Sequence, residues 1–137
     1  MATLEPYLSF NGNCADAMSF YKSALGGQLM IMLVKDSPAK DQIPEEYHNQ
    51  VMHAILKGSG FNLMASDNMS ADKTVTGTNV SLTFNLEDIE DAETIFKSLS
   101  NGGKVTMPLA ETFWAKRFGM LVDKYGFNWM INVTKPM

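Results

Sequence analysis

Apolar and polar residues alternate with a period of two in several short runs of the chain, and between these runs the apolar spacing changes to that of a helix. In "NVSLTFNL" Val80, Leu82, Phe84 and Leu86 alternate with Asn79, Ser81, Thr83 and Asn85. Near the end of the chain Trp129, Ile131 and Val133 alternate with Asn128, Met130 and Asn132, and Phe61, Leu63 and Ala65 alternate with Asn62, Met64 and Ser66. Such runs predict strands with one dry face. Two segments follow helical spacing instead. "NGNCADAMSFYKSALGG" carries an apolar stripe through Ala17, Phe20, Tyr21 and Leu25, with Asn11 or Asn13 as N-cap and glycine at its end. "LEDIEDAETIFKSLSNGG" carries Ile89, Ala92, Ile95, Phe96 and Leu99, with Glu87, Asp88, Glu90 and Asp91 around its first turn, where negative charge suits the helix dipole.

These elements occur twice in the same order. "FYKSALGG" is matched by "IFKSLSNGG", and "GFNLM" at 60–64 by "GFNWM" at 126–130. A strand precedes each helix ("PYLSF" and "NVSLTFNL"), and three extended segments follow each double glycine: 28–34, 50–57 and 61–66, then 104–113, 117–123 and 127–133. The expected fold class is therefore α+β: two βαβββ modules, each a mostly antiparallel curled sheet with one helix on its outer face, together enclosing a cleft. The modules span 3–67 and 78–134 of a single domain, and 68–77 links them. The polar stretch 35–49, twice interrupted by proline, reads as a loop, either a lid or an inert insertion.

A chain of 137 residues suits one compact domain with a real core. Its net charge of −4 and scattered basic residues argue against nucleic acid and anionic membranes as partners, since those need clustered Lys and Arg. The N-terminus has no basic start or apolar run, and no segment has 18 uninterrupted apolar residues, so a cytoplasmic protein is expected. The single cysteine, Cys14, is read as a small buried filler, the alternative being a reactive thiol near a helix start.

The polar faces of the strands hold the candidate chemistry. A cleft between the sheets would be lined by Asn62, Met64, Ser66, Asn79, Ser81, Thr83, Asn128, Met130 and Asn132, a few polar groups amid adaptable apolar ones. The alternative is an open sheet facing water.

The duplicated unit, "FNGNCADAMSFYKSALGG", and above all "AETFWAKRFGMLVDKYGFNWMINV" resemble the PhnB-like branch of the vicinal oxygen chelate superfamily, the glyoxalase, bleomycin-resistance and dioxygenase fold. The resemblance covers nearly the whole chain. It implies the fold; for activity it implies only a range, from isomerases and dioxygenases to drug-sequestering proteins. In metal-using members His, Gln or Glu on the first and last strands of each module hold the ion. Carried onto this sequence, those positions are Pro6 or Tyr7, Met64, Asn79 and Met130. Thioethers match zinc, nickel, manganese or iron(II) poorly, so no metal and no other cofactor is expected. Some members carry a name linked to ubiquinone methylation. The doubly wound sheet and glycine-rich first turn that usually hold S-adenosylmethionine do not occur here.

Three functions follow as expectations. The first is a metal-free homodimer that binds a small, partly apolar organic molecule, with Tyr7 at the site, Phe113, Trp114 and Phe118 flanking its mouth, and Arg117 pairing with a ligand carboxylate. The second is an enzyme using His53 as general base or acid, with Glu111, Asp67 or Tyr7 orienting it, with or without a divalent metal at other positions. His48 lies in the loop before that strand. The third is an assembly subunit without ligand chemistry, its exposed strand edges covered by a second copy.

Overall fold

The structure is a computed structural model and describes residues 2–136. It divides into two compact units between Val75 and Thr76, and each is a βαβββ module.

In the first unit β1 (Tyr7–Phe10) leads to α1 (Cys14–Leu25), then β2 (Gln28–Leu33), β3 (Val51–Gly58) and β4 (Phe61–Asp67). The second repeats this with β5 (Ser81–Leu86), α2 (Ile89–Ser100), β6 (Lys104–Ala110), β7 (Ala115–Val122) and β8 (Asn128–Thr134). The two four-stranded sheets have equivalent orders, β1-β4-β3-β2 and β5-β8-β7-β6. In each, the first strand runs parallel to the last and the other pairs are antiparallel. No helix among the described residues is long and apolar enough to cross a membrane.

The dry faces follow the alternation. Leu8, Phe10, Ala54, Leu56, Leu63 and Ala65 pack against Cys14, Ala17, Met18, Tyr21 and Ala24 of α1. The α1 stripe is thus rotated from the expected one: Phe20 and Leu25 are half-buried, and Met18 and Ala24 take their place. In the second unit Leu121, Trp129, Ile131 and Val133 lie buried with Ala92, Phe96 and Leu99 of α2, as expected. Val80 departs from the pattern. It lies before β5 and is 70% exposed.

Both double glycines end a helix and start the next strand, for two distinct reasons. Gly26 and Gly102 have φ of +79° and +78°, a region that side chains disfavour. A Cβ on Gly27 or Gly103 would stand 2.8 Å from the Lys57 carbonyl or clash with the Val122 carbonyl of the antiparallel neighbour. The repeat is therefore steric.

Neither asparagine expected to cap α1 does so. Asn13 occupies the cap position without a side-chain bond, and Asn11 instead accepts from the Thr74 N–H. The cap comes from the far end of the sheet. The buried Asp67 carboxylate accepts from the Gly12 and Cys14 N–H groups, each at 3.0 Å, and from the Val51 N–H at 2.9 Å. In the second unit Asp88, expected as a charge near the first turn, caps α2 by accepting from the Glu90 N–H.

The stretch expected to be a plain loop holds three short 3-10 turns, Val34–Asp36, Lys40–Gln42 and Glu45–Tyr47. His48 ties them together: its Nε2 lies 3.0 Å from the Lys40 carbonyl and 2.9 Å from that of Ile43. Two carbonyls can only accept, so Nε2 carries a proton there.

Candidate functional site: the helix-free faces of the two sheets

Side chains of residues directly opposite in a ladder share one face of the sheet. Tyr7 pairs with Met64, Met64 with Ile55, and Ile55 with Met30, which makes a transverse row on the face away from α1. In the second unit Thr83 pairs with Met130, Met130 with Met120, and Met120 with Met107. Two of the four side chains in the first row and three of the four in the second are thioethers, and both rows lie at least partly open, from half-buried Met64 and Met130 to Met30 at 70% exposure. Met64 and Met130 were legible from the repeat. Met30, Met107 and Met120 were not, because only strand pairing places them beside the other two.

The repeated phrase is now explained residue by residue. Gly60 and Gly126 make the turn with φ of +85° and +93°. Leu63 and Trp129 fill the cores. Met64 and Met130 face the other way, opposite the first strand of their module. Asn62 donates from Nδ2 to the Glu5 carboxylate at 3.0 Å, and Asn128 donates to the carbonyls of Val80 at 3.1 Å and Gly77 at 3.4 Å. Both amides fasten the chain just ahead of the first strand.

This pairing corrects the expected role of Asn79. Asn79 precedes β5, and the counterpart of Tyr7 across the parallel ladder is Thr83. Ser81 does lie on the open face, paired with Asn128, and beyond the Thr83–Met130 pair Asn132 donates to Asn85 Oδ1 at 3.0 Å.

In the first unit His53 sits on the same open face, paired with Met32 of β2. The Tyr7 hydroxyl reaches to 3.5 Å from its Nδ1, with the ring centroids 6.0 Å apart. Of the three partners expected to orient His53, Tyr7 is the one in contact. Asp67 faces the core and its carboxylate is occupied by three backbone N–H groups. Glu111 lies beyond the end of β6, 64% exposed, and ion-paired with Lys135 at 3.2 Å.

Lys135 also donates to the Thr112 carbonyl at 3.0 Å, and Thr112 Oγ1 accepts from the Trp114 and Ala115 N–H groups, closing the tight turn between β6 and β7. On that turn Phe113 stacks edge-on against Trp114 at 4.8 Å and Trp114 against Phe118 at 5.4 Å. Phe118 pairs with Asn132 and shares the open face. Arg117 pairs with the core residue Val133, and its Nη1 donates to the Lys116 carbonyl at 2.6 Å. It was expected beside these aromatics, pairing with a ligand carboxylate, and the register turns it to the face opposite Phe118.

Cys14 is fully buried, and burial with the neighbouring Asp67 carboxylate pushes its thiol up to about 12, the behaviour of a filler.

Tyr7, Met64, Thr83 and Met130, which the resemblance together with the ladder register puts at the ligand positions, are a phenol, two thioethers and a hydroxyl. These do not fit zinc, nickel, manganese or iron(II), which take imidazole and carboxylate. No three His, Cys, Asp or Glu gather elsewhere among the described residues.

Residues 2–132 match the family model described as 3-demethylubiquinone-9 3-methyltransferase. Protein YjdN of Escherichia coli K12 is 34% identical over 96% of this chain and 95% of its own. The crystal structure of PA1353 from Pseudomonas aeruginosa is 40% identical, with a TM-score of 0.88 over 99% of this chain and all of that one. The PhnB protein of Bacillus cereus, bearing the same methyltransferase description, is 26% identical with a TM-score of 0.77 over 97% of this chain and all of that one. At the level of fold alone, a glyoxalase/bleomycin resistance protein/dioxygenase family enzyme from Burkholderia phytofirmans is 14% identical, with a TM-score of 0.63 over 94% of this chain and 97% of its own. With the duplicated module and its GFN turns in place, the chain belongs to the 3-demethylubiquinone-9 3-methyltransferase family, which the PhnB protein of Bacillus cereus shares by description.

Proposed function

We propose that this protein binds small, partly apolar organic molecules on the helix-free faces of its sheets. The observation that carries the reading is the pair of thioether rows, Met30–Ile55–Met64–Tyr7 and Met107–Met120–Met130–Thr83. Methionine is flexible and polarisable, and it fits ligands of varied outline. Polar groups border both rows, as in sites that hold an apolar body and orient it by a few hydrogen bonds. A dye test decides: N-phenyl-1-naphthylamine should bind saturably, and Met64→Asp and Met130→Asp should each weaken it at unchanged melting temperature. Absence of saturable binding sinks the reading.

The methyl transfer in the family description finds little support in this architecture. Neither sheet is doubly wound and parallel. The turn into α1, where a glycine-rich loop would present N–H groups to a cofactor, already gives those of Gly12 and Cys14 to Asp67.

A second reading, an enzyme working by proton transfer at His53, is favoured by the Tyr7–His53 contact on an open face. A substrate turned over by the unmodified protein and untouched by a folded His53→Gln variant would support it; equal turnover by both would end it.

The exposed edges β2 and β6 suit a homodimer in which a second copy covers them. Sedimentation should then give twice the 15.2 kDa chain mass; a monomer at micromolar concentration would count against it.

A further inference from the structure

We infer that the molecule held by the first module ends in a carboxylate, and that this carboxylate sits on His53. The inference rests on the binding reading above and names the ligand's polar end.

The open face of the first sheet has more donors than acceptors. On β3 the imidazole of His53 and the ammonium of Lys57 lie on either side of Ile55, the β3 member of the thioether row. The hydroxyls of Ser9 and Ser66, paired across the parallel ladder, lie on the same face. The carboxylates nearby are already engaged. Asp67, the one acidic residue within β1 to β4, is turned to the core and saturated by three N–H groups. Glu5, just ahead of β1, accepts from Asn62 at 3.0 Å and from Thr3 at 3.3 Å. The other acidic groups of the module sit on α1 (Asp16), on the connection from β2 to β3 (Asp36, Asp41, Glu45, Glu46) and beyond β4 (Asp72).

The second sheet offers a contrast. Its open-face amides bond within the protein: Asn132 to Asn85, and Asn128 to the Gly77 and Val80 carbonyls. The charged pair near its turn, Glu111 and Lys135, is closed on itself. Lys104, paired with Val122, also puts an ammonium on that face, but no histidine lies in β5 to β8, so an imidazole donor is found in the first module alone.

The Tyr7 contact aims the imidazole. With the Tyr7 hydroxyl at Nδ1, the ring presents Nε2 to a ligand, and an N–H at Nε2 donates to an acceptor there. Tyr7 is thus a positioning residue for His53 as well as part of the apolar row. An octyl-sized chain lying across Met64 and Ile55 places its terminal carboxylate at the imidazole.

The test displaces bound N-phenyl-1-naphthylamine with octanoate, octanol and octylamine, which share one chain and differ in the head group. Octanoate should compete about tenfold more strongly than octanol, the size of one charge-assisted hydrogen bond, and octylamine should be weakest. In His53→Phe, which keeps a ring without donors, octanoate should fall to the level of octanol while octanol is unchanged. Tyr7→Phe, which keeps the ring in the row, should lose part of the preference for octanoate over octanol. In the unmodified protein, octanoate but not octanol should shift the His53 ring resonances; those of His48, held by two carbonyls, should stay in place. Octanol equal to octanoate, or an octanoate preference that survives in folded His53→Phe, overturns the inference and leaves the apolar binding reading standing. Dye binding that none of the three displaces overturns the inference as well, whereas a protein that binds no dye loses both.

Discussion

Met64 stands directly opposite Tyr7 across the parallel ladder of the first sheet, at two positions where the resemblance implies metal ligands. The same place in the second sheet holds Met130 opposite Thr83. Nickel, zinc, manganese and iron(II) should therefore each leave the melting temperature unmoved, because none of these ions gains a ligand set from two thioethers, a phenol and a hydroxyl. A stoichiometric metal in protein purified without an affinity tag, or a shift of several degrees abolished by His53→Ala, would place a metal site elsewhere.

Asp67 and Asp123 are the buried carboxylates of the two modules among the described residues; Asp67 serves backbone N–H groups, and Asp123 serves the backbone and one indole. Asp123 accepts from the Tyr125 N–H at 2.8 Å, the Phe127 N–H at 3.1 Å and the Trp129 indole at 2.8 Å. Replacing either by alanine strands three donors, each costing on the order of 1 kcal/mol or more. Asp67→Ala and Asp123→Ala should each lose about 3–5 kcal/mol in urea unfolding. A loss below about 1 kcal/mol would show that water replaces the carboxylate.

The two turn glycines differ in surroundings. A Cβ at Gly60 meets nothing within 4 Å, whereas one at Gly126 stands 3.0 Å from Thr76 Cγ2, and both residues have positive φ. Gly60→Ala should cost about 1 kcal/mol through the backbone alone, and Gly126→Ala distinctly more. Equal costs would mean that Thr76 moves aside freely.

The thiol of Cys14, held up to about 12, should resist alkylation at pH 8 in the folded protein and react once urea unfolds it. The sign of its linkage follows. Below the ordinary value of 9.0 the thiol is neutral in both states and its contribution is fully present. As pH rises from 9.0 toward about 12 the unfolded thiol ionises first, so stability falls across that window. Cys14→Ala should flatten this alkaline decline; an unchanged decline would assign it to other groups.

Much of the fold was legible because the sequence states its periods twice. Strand alternation with polar residues between Leu82, Phe84 and Leu86 marked β5, and the α2 stripe through Ala92, Phe96 and Leu99 is the one that packs. The α1 stripe was misplaced by about one position, since Met18 and Phe20 are both apolar and only the packing against β3 and β4 chooses between them. Asn79 was placed on a strand because alternation continues through Val80, yet the ladder starts at Ser81 and the Asn128 amide takes the Val80 carbonyl instead. The Asn13 cap was a reasonable local reading overridden by Asp67, which lies 53 residues from Cys14 in the chain.

By itself the sequence determined the duplicated βαβββ order, the dry faces of the strands and the methionines at the first module's and second module's last strands. These are local properties, set by side-chain periodicity and by glycines favoured where φ is positive or where a neighbouring backbone comes close. Tertiary structure alone decided which residues share a row: Met30 with Met64, Met120 with Met130, Tyr7 beside His53, and Arg117 away from Phe118. Those neighbours lie far apart in sequence and meet only through strand register, where a shift of one residue turns every side chain to the opposite face.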